Sequence, residues 1–154
     1  MKAIIFDFNR TLYDADNKRL FPEVINILES LKSKYMLYLI GKGNEERKDL
    51  INSLGIEKYF ERIIITEEKS INNFKEILND LNYNPQEVYV IGDRIKSEIK
   101  IGNSFNMNAI WLKKGKFENE LPSCNEEEPK YTITELTLDN IYKCLNPKKI
   151  TKIT

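Results

Sequence analysis

Two acidic residues stand where chemistry is expected. The apolar run Ala3-Ile4-Ile5-Phe6 leads straight into Asp7, and Val88-Tyr89-Val90-Ile91 leads into Gly92-Asp93. Short apolar runs of this kind read as strands buried on both faces of a parallel sheet, and ligands bind at the carboxyl ends of such strands. Either acid alone would pass for an ordinary strand-end carboxylate. Together they can meet across a sheet crevice, where they suit a hard cation. Mg²⁺ takes about six oxygen ligands, a few from protein and the rest from water and phosphate. The expectation is therefore a metal or phosphate site. Histidine is absent from the chain, which removes Ser-His-Asp, Cys-His and His-zinc chemistry. Catalysis, if any, falls to carboxylates, lysines, hydroxyls, backbone amides or a hard metal.

The elements that must position these acids are legible as alternating strands and helices. Six strand candidates run over Lys2–Phe8, Met36–Ile40, Arg62–Ile65, Val88–Ile91, Ala109–Leu112 and Tyr131–Ile133. Phe21, Val24, Leu28 and Leu31 recur at helical spacing, with Pro22 suited to a first turn. Leu50, Ile51 and Leu54 form a second stripe, stopped by Gly55, and Phe74, Ile77, Leu78 and Leu81 a third. A shorter helix is expected over Ile95–Gly102 and a last one over Leu138–Leu145. Such alternation implies an α/β fold: a doubly wound, mostly parallel, Rossmann-like sheet with helices on both faces. Residues 113–130 are polar, hold Pro122 and Pro129, and read as a long surface loop. The reading gives one domain over residues 1–145 and a frayed basic tail over 146–154.

Length and charge set outer bounds. A chain of 154 residues is about one domain. Lys+Arg and Asp+Glu both number 24, so the formal net charge is zero. That balance gives no clear nucleic-acid signal and argues against a membrane-surface protein, although a local basic patch stays open. No apolar run is long enough to span a membrane, and the start of the chain leads directly into a strand pattern, so no signal peptide is expected. Cys124 and Cys144 form no CxxC; two isolated thiols fit a reducing cytoplasm.

The residues around both acids resemble the haloacid dehalogenase-like (HAD) superfamily. Its first motif, D-x-D-G-T-L, reads here Asp7-Phe8-Asn9-Arg10-Thr11-Leu12, and its fourth, G-D-x-x-x-x-D, reads Gly92-Asp93 with Glu98 in the last place. The third motif, a lysine ahead of a helix, is matched by Lys69. The second is a strand ending in Ser or Thr; here Leu37-Tyr38-Leu39-Ile40 ends in Gly41-Lys42-Gly43-Asn44, without the hydroxyl. That glycine-flanked stretch reads equally as a plain turn or as amides of Gly41 and Lys42 facing an anion. The resemblance covers residues 1 to 145. It implies that Asp7, the Asn9 backbone carbonyl and Asp93 hold Mg²⁺, with Glu98 as a ligand or acting through water. It also implies that Lys69 offsets crowded negative charge. The caps typical of the family fall after the first motif or between the third and fourth, and neither interval leaves room for one. An open crevice then implies either a large substrate or a lid from a second subunit, the second alternative being a homo-oligomer.

Function turns on position 9. The resemblance makes Asp7 a nucleophile toward phosphorus and gives the acid two residues on the proton transfers, which an amide cannot perform. One reading is a weak or specialised Mg²⁺-dependent phosphohydrolase with an aspartyl-phosphate intermediate, acting on a phosphorylated small molecule or macromolecule. The other is a catalytically silent module that keeps the metal and phosphate pocket. A phosphorelay receiver would need its aspartate after the third strand, where Ile65-Thr66-Glu67 stands, and a dehalogenase would need a cap. Arg10 and Arg94 read as phosphate contacts or surface charges, with surface the preferred reading, the run Lys113-Lys114-Gly115-Lys116 as a solvated loop, and Trp111 as core or half-core.

Overall fold

The computed structural model describes residues 2–82 and 84–147. The expected tail, 146–154, lies outside the described residues apart from Asn146 and Pro147. In chain order the elements are β1 (Ala3–Asp7), β2 (Tyr13–Asp14), β3 (Arg19–Leu20), α1 (Val24–Lys32), β4 (Met36–Lys42), α2 (Glu45–Ser53), β5 (Arg62–Thr66), α3 (Ile71–Asp80), β6 (Val88–Gly92), a π-helical turn (Ile95–Ile99) running into α4 (Lys100–Ser104), β7 (Asn108–Leu112), β8 (Tyr131–Ile133) and α5 (Leu138–Leu145). Six strands form one sheet in the order β5-β4-β1-β6-β7-β8, and every pairing in it is parallel. All six expected strands are present.

Strand periodicity decides which way each side chain looks. Successive residues of a strand point to opposite faces. Ile4 and Phe6 of β1 therefore pack with Val24, Ile27, Leu28 and Leu31 of α1 and with Ile141 and Leu145 of α5. Ala3 and Ile5 pack on the other face with Phe74 and Ile77 of α3 and with Ile95 and Ile99 of the π-helical turn. Each such fully buried Leu, Ile or Phe contributes roughly 1.5–3 kcal/mol over leaving it in water. Asp7 has the parity of Ala3 and Ile5, so it emerges at the carboxyl end of the central strand toward α3 and the π-helical turn.

Local capping fixes where the helices start. The Asn44 side chain accepts from the Glu46 amide at 3.0 Å, with Glu45 and Glu46 in the favourable first turn of α2. At α3 the Asn73 side chain accepts from the Ser70 amide at 2.8 Å, which pins the backbone one residue after Lys69.

Three features differ from the sequence reading. A two-residue hairpin, β2 against β3, stands between β1 and α1; it is too short to show in periodicity. Strand β4 does not stop at Ile40 but runs on to Lys42, with Gly41 in register opposite Ile65. The segment 113–130 is a loop as expected, but it contains two short 3₁₀ turns, Gly115–Phe117 and Asn125–Glu127, and is tied down. Among the described residues there is no separate cap domain: only the hairpin follows β1 before α1, and only a 3₁₀ turn, Pro85–Glu87, separates α3 from β6. No helix is long and apolar enough to cross a membrane among the described residues.

The tie in the long loop is Glu127. Its side chain, 6% exposed, accepts from Lys96 Nζ at 2.8 Å and from the Ser123 amide and hydroxyl at 3.0 and 2.9 Å. It is covered by these partners rather than sunk in the apolar core. Lys96 first, then the Ser123 donors, hold its carboxyl down at about 2. A depressed carboxyl contributes stability that is present above its unfolded value, near 4.5, and lost as pH falls through its folded value. Glu127→Gln is therefore expected to melt below wild type at neutral pH, with the gap closing between about pH 5 and pH 2. Parallel melting curves for the two proteins across that range would show that the tie contributes nothing.

Candidate active site

The cavity at the carboxyl ends of β1 and β6 has a volume of about 680 Å³ and is lined by Asp7, Asn9, Lys42, Lys69, Asp93 and Glu98, among others. Each central acid is placed by a different device. Asp7 ends the central strand, and Thr11, fully buried, donates its hydroxyl to Asp7 Oδ2 at 3.0 Å. Asp93 follows β6, and its backbone carbonyl accepts from Trp111 Nε1 at 3.0 Å, so the core tryptophan on β7 fixes the turn that presents the acid. Glu98 sits in the π-helical turn and reaches back over the end of β6, where its Oε1 accepts from the Arg94 amide at 3.1 Å. A Cβ on Gly92 would collide with that carboxylate. Gly92 is thus required by the close approach of a side chain. Single π turns are common at functional sites; this one turns Glu98 inward.

Lys69 closes the cluster. Its ammonium pairs with Asp7 Oδ1 and lies 3.2 Å from Glu98 Oε2. The side chain is 9% exposed, against 6% for Asp7 and 4% for Glu98. Carboxylate oxygens of Asp7, Asp93 and Glu98 all lie within 4.8 Å of one another. Burial pushes all three carboxyls above their usual range, and their mutual repulsion adds to it: Asp93 acts on Asp7, Glu98 on Asp93, and Asp7 on Glu98. For Lys69, burial works against the charged form, but Asp7 and Glu98 outweigh it and raise the ammonium well above its usual value.

Arg10 and Arg94, which the sequence leaves between phosphate contacts and surface charges, both line the cavity. Arg10 bonds Asp93 Oδ2 through Nε at 2.9 Å. Its guanidinium lies 4.8 Å from the ring centre of Phe117, and that of Arg94 lies 4.1 Å from the same ring. Lys116, in the stretch read as a solvated loop, also lines the cavity. The reason is the long loop, which brings Phe117 to the mouth and gives both guanidinium planes a face to stack on. Arg47 is a further lining cation that sequence reasoning missed; it signals itself only as one charge among many on α2. Of the sites read from the second motif, Lys42 reaches the cavity, whereas Gly41 sits in the β4–β5 ladder and is absent from the lining. Asn9 lines the cavity, and its side-chain oxygen is buried without a hydrogen-bond partner.

The comparisons follow this geometry. A HAD-hydrolase-like family model matches residues 72–138. A glyceraldehyde 3-phosphate phosphatase of Pyrococcus furiosus is 31% identical over 116 residues, which are 71% of this chain and 48% of the relative. The chain belongs to the haloacid dehalogenase-like superfamily. Another relative, the mitochondrial phosphatidylglycerophosphatase GEP4 of Saccharomyces cerevisiae, is 26% identical over 75% of this chain and 68% of its own. Among solved structures, an uncharacterized protein from Listeria monocytogenes serotype 4b superposes with a TM-score of 0.74 at 21% identity, over 97% of this chain and 99% of that one. A HAD phosphatase from Thermococcus onnurineus gives 0.71 at 16%, over 98% of each. These structures share the HAD fold with this chain. The chain spans about half the length of the glyceraldehyde 3-phosphate phosphatases it matches in Pyrococcus furiosus and Methanopyrus kandleri, 48% and 52%.

Within this HAD domain the cavity carries seven cations, Arg10, Lys42, Arg47, Lys69, Arg94, Lys96 and Lys116, against four acids, Asp7, Glu68, Asp93 and Glu98. Three acids gather at the floor, and the cations around them outnumber the acids by three. That distribution can hold a cation and an oxyanion together.

Proposed function

We propose that the chain is a Mg²⁺-dependent phosphohydrolase that works through an aspartyl phosphate on Asp7. The observation that carries this reading is the floor of the cavity. Asp7 emerges at the carboxyl end of the central strand with one oxygen on Thr11 and the other on Lys69, beside Asp93 and Glu98. The donor set fits a hard divalent ion: three carboxylates with oxygens within 4.8 Å of one another, and Asn9 lining the same cavity. Asp7, Asp93 and Glu98 would hold it, together with the Asn9 backbone carbonyl. Bound there, Mg²⁺ would supply positive charge to the phosphoryl oxygens.

The chain's own residues account for the rest. Lys69 favours the ionised, nucleophilic form of Asp7 against the burial that pushes its carboxyl up. Attack forms a bond from an Asp7 carboxylate oxygen to phosphorus and breaks the bond from phosphorus to the leaving oxygen, which departs with the electron pair. That oxygen needs a proton unless it is already a stable anion. Asn9 has none to give near neutral pH. Water must then attack the aspartyl phosphate, releasing phosphate and regenerating Asp7, and again Asn9 cannot take the proton. The cationic rim of Lys42, Arg47 and Lys116 suits a phosphorylated substrate, and the phosphatase names of the relatives point the same way.

The test is direct. Incubation with acetyl phosphate and Mg²⁺, then intact mass at low pH, should show one added phosphoryl group in wild type and none in Asp7→Asn. p-Nitrophenyl phosphate should give a burst near one equivalent followed by slow turnover. The competing reading, a silent binding module, is favoured by one observation, the amide at position 9. It takes over if wild type never gains the phosphoryl mass and Asn9→Asp hydrolyses no phosphate tried.

A further inference from the structure

Arg10 stands at the position the HAD motif gives to glycine, and its backbone shows why glycine suits it. The residue has φ of 63°, in the left-handed region that a side chain enters only at a cost. Its amide donates to the Tyr13 carbonyl at 2.8 Å, so the turn is locked. A side chain kept in a costly conformation beside a reactive centre points to a role for that side chain.

The side chain does not lie idle at the surface. Nε of Arg10 donates to Asp93 Oδ2 at 2.9 Å, and the arginine side chain is 29% exposed while Asp93 is 1% exposed. Phe117 backs the guanidinium. Asp93 is itself one of the three acids that would hold the metal. Charge counting sharpens the point. Asp7, Asp93 and Glu98 carry three negative charges, and Lys69 and Arg10 carry two positive ones, leaving the floor at −1. Without Arg10 the floor stands at −2, the charge a divalent ion neutralises.

We infer that Arg10 is an internal counter-cation that occupies Asp93, and that Mg²⁺ loads this site only by displacing the guanidinium. The inference rests on the metal reading above. Arg10 is a latch here, a positioning residue that sets how much free Mg²⁺ the site needs. Phe117 keeps the displaced guanidinium at the cavity mouth, ready to return when the ion leaves.

Calorimetric titration of the intact chain with MgCl₂ tests this without any turnover. The bond to be displaced is a part-buried, charge-assisted one, so removing it should tighten Mg²⁺ binding roughly ten- to hundredfold. Arg10→Gly relieves the left-handed backbone, and a thermal melt of each variant beside the titration checks that it is folded. Arg10→Lys, which keeps the charge without the fork or the stacking plane, should fall between the two. Arg94→Ala removes an equal charge from the same Phe117 ring but no bond to Asp93, and should change Kd no more than about threefold. Equal Kd values in wild type and Arg10→Gly overturn the latch and leave the metal site standing. An Arg94→Ala gain as large as that of Arg10→Gly also overturns it, because the effect is then general charge. No binding heat in either Arg10 form overturns both the metal site and the latch.

Discussion

Asn9→Asp is expected to raise turnover of a simple phosphomonoester by roughly 10²–10⁴-fold, the usual worth of one general acid–base group. The structure says why one atom exchange can do this. Asn9 lines the same cavity as Asp7, two residues along the chain from it, so a carboxyl of the same size is placed near the nucleophile without rebuilding the backbone. The gain should depend on the leaving group. It should be large for an alkyl or sugar phosphate, which needs a proton, and small for acetyl phosphate, which leaves as a stable anion. Measuring kcat/KM for both substrates in wild type and Asn9→Asp checks this. A uniform gain across the two would mean that position 9 acts by charge and not by proton transfer. Asp7→Asn in the Asn9→Asp background should return both rates to the blank.

Lys69→Met is expected to lower the unfolding free energy by about 3–5 kcal/mol at neutral pH in the absence of divalent ions. The lysine is the partner of two nearly buried carboxylates, and a buried charge left alone is far more costly than the pair is beneficial. Because burial already raises Asp7 and Glu98, the loss should shrink as the solution is made mildly acidic and these acids take up protons. Mg²⁺ in the millimolar range should recover part of it at neutral pH by mass action. Urea unfolding of the two proteins, with and without Mg²⁺, gives the numbers. A difference under about 1 kcal/mol would place Lys69 in the class of surface ion pairs and remove it from the floor of the site.

What the sequence made legible followed from periodicity and from short-range spacing. Six apolar runs became six parallel strands, and Asp7 and Asp93 fell at the ends of two neighbours because a strand's side chains alternate and its ligand sites lie at its carboxyl end. Lys69 was readable from its place just before the stripe of Phe74, Ile77 and Leu78. The parts that stayed hidden depend on contacts between distant segments. Arg10 and Arg94 look like any exposed arginines until Phe117 is brought to the cavity mouth. Trp111 reads as core and is core, yet its indole N–H also steadies Asp93. Strand β4 was ended too early at Ile40 because glycine usually breaks a strand, whereas here Ile65 covers Gly41 across the ladder. The β2–β3 hairpin was missed because two residues a side make no period.

The overlap of Glu98 with the space above Gly92 has an evolutionary side. The two positions are not free to drift independently, since any side chain at 92 must share room already taken by the acid at 98. A change at 92 is blocked while glutamate stays, and opens only after 98 has shortened or turned away. The order of substitutions is therefore constrained, and a lineage that first gained an alanine at 92 would have had to pass through a misassembled site. Epistasis of this kind ties the spelling of the Gly-Asp turn to the length of the acid at position 98 in the π-helical turn that follows.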